Sequence, residues 1–320
     1  MRIASTTVLA ALAFSALAAS AQTYPARPVR VVVPFSPGGA TDIVTRIVAQ
    51  RLTEVWGQTV VVDNRAGAAG NIGGDIVAKA APDGYTLLMT SGSIVTANQH
   101  MYRKMPFNPD TDLVAITNVA SGPQIVATHP SMPARTLKDF IALAKAKPKS
   151  MNFGSAGVGT QTHLAAENFV TAASIDVTHV PYKGEGPAIA DLVAGQIHFV
   201  TPNLSAAIAF VQQEKLRALA VTSKERAKQV PSVPTVAETL PGFENLGWFG
   251  FVAPKGTPRA LIDKIHQDTA KVLQSAEVRG RFEQLGMQPV GNSPDAFARA
   301  IKEESARWAK IIKARNLYVD

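Results

Sequence analysis

The feature that most constrains this chain is a repeated order: a short run of β-branched residues, a loop of glycine and small polar residues, then a stretch with apolar residues at helical spacing. It is clearest near the start. Val29-Arg30-Val31-Val32-Val33 reads as a buried strand and Pro34-Phe35-Ser36-Pro37-Gly38-Gly39 as a loop. Ile43, Val44, Ile47, Val48, Leu52 and Val55 then mark one face of a helix over Ala40–Trp56, and Gly57 sits where a helix stops. Val60-Val61-Val62 opens the next strand. Strand signals recur at residues 86–89, 113–119, 124–127, 151–153, 177–180, 198–201 and 216–221, with helical stretches at 137–146, 160–172, 187–194 and 204–212. Such alternation predicts an α/β fold with mixed, mostly parallel sheets. After an aromatic strand at 247–252 the pattern changes to three helix signals, 258–274, 276–285 and 294–315. Helices with an apolar stripe need a sheet to cover, so these are expected to return to the first part of the chain.

The length of 320 residues suggests two domains with ample cores. The first 21 residues read as a secretory leader: Arg2 gives the positive start, residues 3–19 are apolar and alanine-rich, and Ala19-Ser20-Ala21 resembles a cleavage site. Cleavage after Ala21 is expected, giving an exported chain that starts at Gln22. No later stretch approaches the 18 or so continuous apolar residues of a spanning helix. With no cysteine, disulfide scaffolds, cysteine-ligated metals, cysteine nucleophiles and a lipidated N-terminal cysteine are excluded. The mature chain carries 31 basic against 24 acidic residues, net +7. The cations are dispersed and lack interleaved aromatics, so no nucleic-acid partner is expected and the residues of 299–315 read as a solvated helix face.

GxSxG, HExxH, GxxxxGK and an intact GxGxxG are all missing, and the six histidines are too scattered to suggest metal ligands. No metal or other cofactor is expected. Small-residue loops recur instead at strand ends: Pro37-Gly38-Gly39-Ala40-Thr41-Asp42, Ala66-Gly67-Ala68-Ala69-Gly70-Asn71, Thr90-Ser91-Gly92-Ser93, Gly154-Ser155-Ala156-Gly157-Val158-Gly159-Thr160 and Pro181-Tyr182-Lys183-Gly184-Glu185-Gly186-Pro187. In open parallel sheets such loops line one crevice. Glycine lets backbone N–H groups approach a ligand, and a helix N-terminus favours an anion. An ordinary tight turn explains any one loop; several in register with strands favour a binding crevice.

Together the runs Pro34-Phe35-Ser36-Pro37-Gly38-Gly39-Ala40-Thr41-Asp42 and Val62-Asp63-Asn64-Arg65-Ala66-Gly67-Ala68-Ala69-Gly70-Asn71-Ile72-Gly73 closely resemble the substrate receptors of tripartite tricarboxylate transporters, the Bug proteins. Pro82-Asp83-Gly84-Tyr85, the 154–160 loop with His163, Leu164 and Glu167, Val180-Pro181-Tyr182-Lys183-Gly184 and Trp248-Phe249-Gly250 extend the resemblance to nearly the whole mature chain. It implies a type II periplasmic binding protein fold: two α/β lobes joined by two crossover strands, near 124–128 and 247–252, closing over a small organic carboxylate. The expected division is residues 22–124 plus 250–320 for the first lobe and 125–249 for the second. Carried over by position, the resemblance implies ligand contacts at Phe35, Gly38, Gly39, Asp42, Ala69, Gly70, Ser155, Gly159 and Thr160. The loop pattern adds Ser91 and Gly92, the matching helix start adds His163, and Asn203 stands where many relatives have an acid. Asp42 has a second reading as a helix cap, and His163 one as a capping or packing residue.

A periplasmic monomer that delivers its ligand to membrane permease subunits is the expected function. Two alternatives stay open: an exported enzyme using His163, Asp42 or Glu167 as acid or base, and a receptor that presents its loaded form to a signalling partner.

Overall fold

The computed structural model describes residues 24–319, so the expected leader and its cleavage after Ala21 lie outside the described residues. The chain opens with β1 (Val29–Val33), α1 (Ala40–Trp56), β2 (Val60–Asn64), α2 (Asn71–Ala78) and β3 (Thr86–Ser91). Three short helices, α3 (Gly92–Thr96), α4 (Asn98–Met101) and α5 (Pro109–Asp112), lead to the long β4 (Leu113–Pro123). A second set follows: β5 (Ile125–Thr128), α6 (Leu137–Ala146), β6 (Asn152–Ser155), α7 (Gln161–Ala173), β7 (Thr178–Pro181), α8 (Glu185–Val193), β8 (Phe199–Val200), α9 (Leu204–Gln212) and β9 (Arg217–Val221). The chain then returns through β10 (Leu246–Pro254), α10 (Arg259–Gln274), α11 (Ala276–Gln284), β11 (Gln288–Pro289) and α12 (Pro294–Arg315).

Two sheets form two lobes. The first has the order β11-β4-β10-β3-β1-β2 and the second β7-β6-β8-β5-β9. β1 to β4 share one direction, against which β10 and β11 are opposed; in the second sheet only β5 opposes the rest. The sheets are thus mixed. Most strands of each sheet run one way, but among the described residues five of the nine pairings are antiparallel, more than the mostly parallel sheets expected from sequence, because the opposed β5 and β10 lie inside their sheets and pair on both sides. Opposed strands occur chiefly where the chain passes between lobes, because a strand entering from the other lobe arrives from the opposite end.

The first passage is at Gln124, between β4 and β5. On the return, pairing with the first sheet begins at Leu246↔Pro123, Gly247↔Gly122 and Trp248↔Ser121, ahead of the 249/250 boundary expected from sequence. The irregular residues just before β10 make the passage, leaving the whole aromatic strand in the first sheet. Thr222 ties the two passages together. Its N–H donates to Gln124 O (2.9 Å), its hydroxyl accepts from Gln124 N (2.8 Å) and donates to Asn245 O (2.7 Å), and its carbonyl accepts from Asn245 N (2.9 Å).

The C-terminal helices pack against elements of the first sheet's lobe. Trp56 of α1 donates through Nε1 to Asp268 of α10 at 2.7 Å. Phe297 of α12 is buried under β10, where a Cβ on Gly250 would lie 2.4 Å from the ring, so only glycine lets the helix seat there. Removing that ring would cost about 3–5 kcal/mol. The second lobe is organised around Phe140, Phe153, Phe169 and Phe199, with Phe199 edge-on to Phe140 at 5.1 Å between centroids. Arg299, Lys302, Arg307, Lys310, Lys313 and Arg315 of α12 are exposed, as a solvated face requires. Among the described residues no helix is long and apolar enough to cross a membrane.

Candidate functional site

β1 ends in the loop that carries Phe35, Gly38 and Gly39 to the start of α1. Gly39 is the N-cap of this 17-residue helix and supplies no side-chain cap, so its first amides look outward for acceptors. Asp42 does not cap α1. It is buried, and Oδ2 accepts from Gly38 N (3.1 Å) while Oδ1 accepts from Arg46 Nε (3.0 Å) and Asn64 Nδ2 (3.0 Å). Burial alone would raise its pKa, but the bonds from Arg46, Gly38 and Asn64 prevail and lower it, so the carboxylate stays charged and braces the loop. Asn64 also donates to Phe35 O (3.0 Å), fixing the loop to the end of β2.

The facing wall, from the end of β6 into α7, satisfies itself. Thr160 is the N-cap of α7, and its hydroxyl donates to Gly157 O at 2.7 Å. Ser155 Oγ lies 2.7 Å from His179 Nε2 and accepts from Gly157 N (3.1 Å). Thr162 Oγ1 accepts from Ala156 N (2.9 Å), and His163 Nδ1 accepts from Gly159 N (3.1 Å). Burial lowers the pKa of His163 to about 3, helped by the neighbouring His179, and burial lowers that of His179 to about 4. Both imidazoles are therefore neutral. With Nδ1 accepting, the His163 proton sits on Nε2, facing Glu167 Oε1 at 3.6 Å.

Between the walls lies a cavity of about 20 Å³, room for about one water. Phe35, Gly39, Ser91, Thr160 and Asn203 line it, five of the thirteen residues singled out in the sequence. The remaining eight sit close by in other roles. Gly38 and Asp42 hold each other, and Ser155 and His163 hold the second wall. Ala69, at φ 52°, and Gly70, at φ 91°, shape the turn before α2; a Cβ on Gly70 would meet Ile94 at 2.5 Å. Gly92 makes room for Trp248, which a Cβ there would meet at 2.8 Å, and Gly159 abuts Asn98, Met101 and Tyr102. A larger groove of about 540 Å³ opens on the surface beside the passage between lobes. Size does not locate the site here, because closed lobes shrink the space where the strand ends converge.

Sequence reasoning passed over Thr41, Gln161, Thr162, Glu185 and Phe249, which also line the cavity. Two of them join the lobes. Gln161 pairs with the Trp248 backbone, Nε2 donating to O (2.8 Å) and Oε1 accepting from N (3.0 Å). Glu185 is 7% exposed; Oε2 accepts from Ala40 N (2.6 Å), and Oε1 accepts from Asn203 N (2.8 Å) and Asn203 Nδ2 (2.7 Å). Burial raises its pKa, against the opposing effect of these three N–H donors. Two further bonds cross the cleft: Ser36 N donates to Lys183 O (3.0 Å) and the Tyr102 hydroxyl to Val158 O (2.7 Å). The lone acid in the small-residue run Gly184-Glu185-Gly186 was the available signal for Glu185, but a contact spanning 145 residues has no local signature.

Ser91 Oγ and Asn203 Oδ1 are buried at the cavity without hydrogen-bond partners. The arrangement offers backbone N–H groups, hydroxyls and an amide oxygen to a small polar ligand, with no cationic side chain at the cavity. Among the described residues no group of three or more His, Asp or Glu side chains is placed to hold a metal.

The profile of the tripartite tricarboxylate transporter family receptor matches residues 44–317. Three solved structures are similar over nearly the whole chain. A Rhodopseudomonas palustris protein solved with adipate shares 36% identity at a TM-score of 0.88, covering 91% of this chain and 97% of that one. The periplasmic binding protein BugD shares 32% at 0.89, covering 92% and 99%. MatC from Rhodopseudomonas palustris, with bound malate, shares 31% at 0.86, covering 90% and 100%.

Proposed function

This chain belongs to the tripartite tricarboxylate transporter receptor family, and on that premise we propose that it is an exported periplasmic receptor that captures a small organic carboxylate between its lobes and hands it to membrane permease subunits. The observation that carries this reading is the start of α1, whose N-cap Gly39 supplies no side chain and whose Ala40 amide is directed into the cleft, beside the buried, unpartnered Ser91 Oγ of its own lobe and opposite Asn203 of the other. Each charge-assisted hydrogen bond contributes about 1.5–3 kcal/mol. Three or four offset a rigid-body cost of about 4–15 kcal/mol only where water is excluded, which closure provides. Phe35, Gly39, Ser91, Thr160 and Asn203 are the residues proposed to surround the ligand, with Asp42, Ser155 and His163 holding the walls in place. The two lobes are proposed to divide near Gln124 and Asn245. The Ala-rich leader, removed after Ala21, would deliver the chain to the periplasm.

The enzyme alternative finds less support. Asp42 is engaged by Arg46, and His163 and Glu167 face one another behind the second wall. Ser155 and His179 are in hydrogen-bond contact, but Ser155 is 2% exposed and a histidine with a pKa near 4 is a weak base at neutral pH. A thermal-shift panel of mono-, di- and tricarboxylic acids, including adipate and malate, tests the receptor reading on the mature protein. An acid at 100 times its Kd should add about 2.7 kcal/mol of stability. Stabilisation by no acid in the panel, or consumption of a bound acid, would overturn it.

A further inference from the structure

We propose that Glu185 is a built-in occupant of the ligand carboxylate's position, so that ligand binds by displacing it; this rests on reading the cleft as a carboxylate site. Glu185 opens α8 in the second lobe, yet its carboxylate reaches the start of α1 in the first, where Oε2 takes the Ala40 amide at 2.6 Å. The other oxygen is held by two donors from Asn203. Three N–H groups and no cation surround the charge. That is the environment the cleft would offer a carboxylate ligand.

Glycines make the contact possible. A Cβ on Gly39 would stand 3.2 Å from Glu185 Oε2, one on Gly184 would stand 3.1 Å from Ser36 N, and one on Gly186 would stand 2.6 Å from Pro37 O. At Gly184 and Gly186 the approach is backbone on backbone, and at Gly39 the Glu185 side chain lies against bare backbone. The remaining cavity, about 20 Å³, holds about one water and no organic acid. One N–H serves one short hydrogen bond, and two carboxylates in contact repel strongly where water is excluded. A ligand carboxylate at Ala40 therefore requires Glu185 to leave. With Glu185 in place the lobes have a reason to close without ligand, and apparent affinity becomes the difference between the ligand's contacts and those of Glu185.

Two measurements on the mature protein test this. The chain lacks cysteine, so a thiol introduced at an exposed residue of each lobe carries an energy-transfer pair without background labelling. In the absence of ligand, the wild type should populate the short inter-lobe distance, and Glu185→Ala should shift the population toward the long one. Glu185→Gln keeps one acceptor and should fall between. Equal ligand-free distributions in all three proteins would overturn the proposal, and the glutamine variant decides it if the alanine variant does not fold. Calorimetric titration with adipate and malate supplies the second readout. For whichever acid binds the wild type, Glu185→Ala should tighten Kd by threefold or more; an unchanged or weaker Kd would mean that Glu185 is not displaced. If neither acid binds the wild type, the carboxylate reading fails for these acids, and the inter-lobe distances alone decide whether Glu185 holds the lobes closed.

Discussion

The loop of the first lobe at residues 34–40 and that of the second at 155–160 both carry glycines from the end of a strand into a helix, and their polar groups go to different places. At the second loop Ser155, Thr160, Thr162 and His163 take up nearby amides and carbonyls, so the amides of Ala156, Gly157 and Gly159 are satisfied within their own lobe. In the first, Gly39 offers no hydroxyl to cap α1, and Ser36 N and Ala40 N find their acceptors across the cleft, on Lys183 and Glu185. Glycine content shows that a backbone is approachable. Whether its amides remain available for another partner depends on which hydroxyls and imidazoles lie within reach.

The contrast breaks most visibly at Gly186. Its backbone is not in the left-handed region, so Ala is compatible with α8 and favoured there by up to about 1 kcal/mol, but the added Cβ would lie 2.6 Å from Pro37 O of the other lobe. Gly186→Ala should weaken carboxylate binding tenfold or more in calorimetry while the ligand-free melting temperature holds or rises. Undiminished affinity would show that this close approach is not needed.

The second wall should reveal itself through pH. His163 and His179 are neutral in the folded protein down to about pH 3 and 4, whereas in the unfolded chain they take up protons below about 6.5. Above pH 6.5 they are neutral in both states and impose no penalty. As pH falls from 6.5 toward 4, the unfolded chain binds more protons and stability declines, by at most about 1.4 kcal/mol per pH unit for each histidine. Melting curves of His179→Gln should show a shallower loss between pH 6.5 and 4.5 than the wild type. Parallel curves would place the acid sensitivity elsewhere.

Thr160→Ala gives the smallest expected effect. Loss of the cap on α7 should cost about 1 kcal/mol, a fall of about 2–4 °C, with ligand affinity changed less than about threefold. A larger affinity loss would mean that the hydroxyl turns from Gly157 to the ligand, making the two walls alike after all.

Much of the architecture was legible in sequence. α1, α6, α9 and α12 have the bounds their apolar spacing predicts, because each buries one continuous stripe and has a clear stop or start, such as Gly57 at φ 62° after α1. The short helices α3 to α5 are less than two turns long and carry no period to detect. β4 runs on through Ala120-Ser121-Gly122-Pro123, small residues without a strand signal, because β10 and β11 pair with it there. At the site, the loops were readable and their glycines were not interchangeable: Gly92 and Gly70 yield space to Trp248 and Ile94, while Gly39 and Gly186 yield it to the opposite lobe. A glycine made necessary by a neighbouring side chain looks the same in sequence as one made necessary by a ligand. Glu185 and Gln161 were missed because their partners are 145 and 87 residues away.

Thr222 gives the molecule a spine in the bookbinder's sense. Because one residue is stitched to both Gln124 and Asn245, the two covers share a common axis, and shearing or twisting one against the other would tear those stitches. Motion about such a spine has a single coordinate, so the spacing between any two points on opposite edges reports the same angle. Whatever touches only a corner of each cover could thus read whether the book is shut.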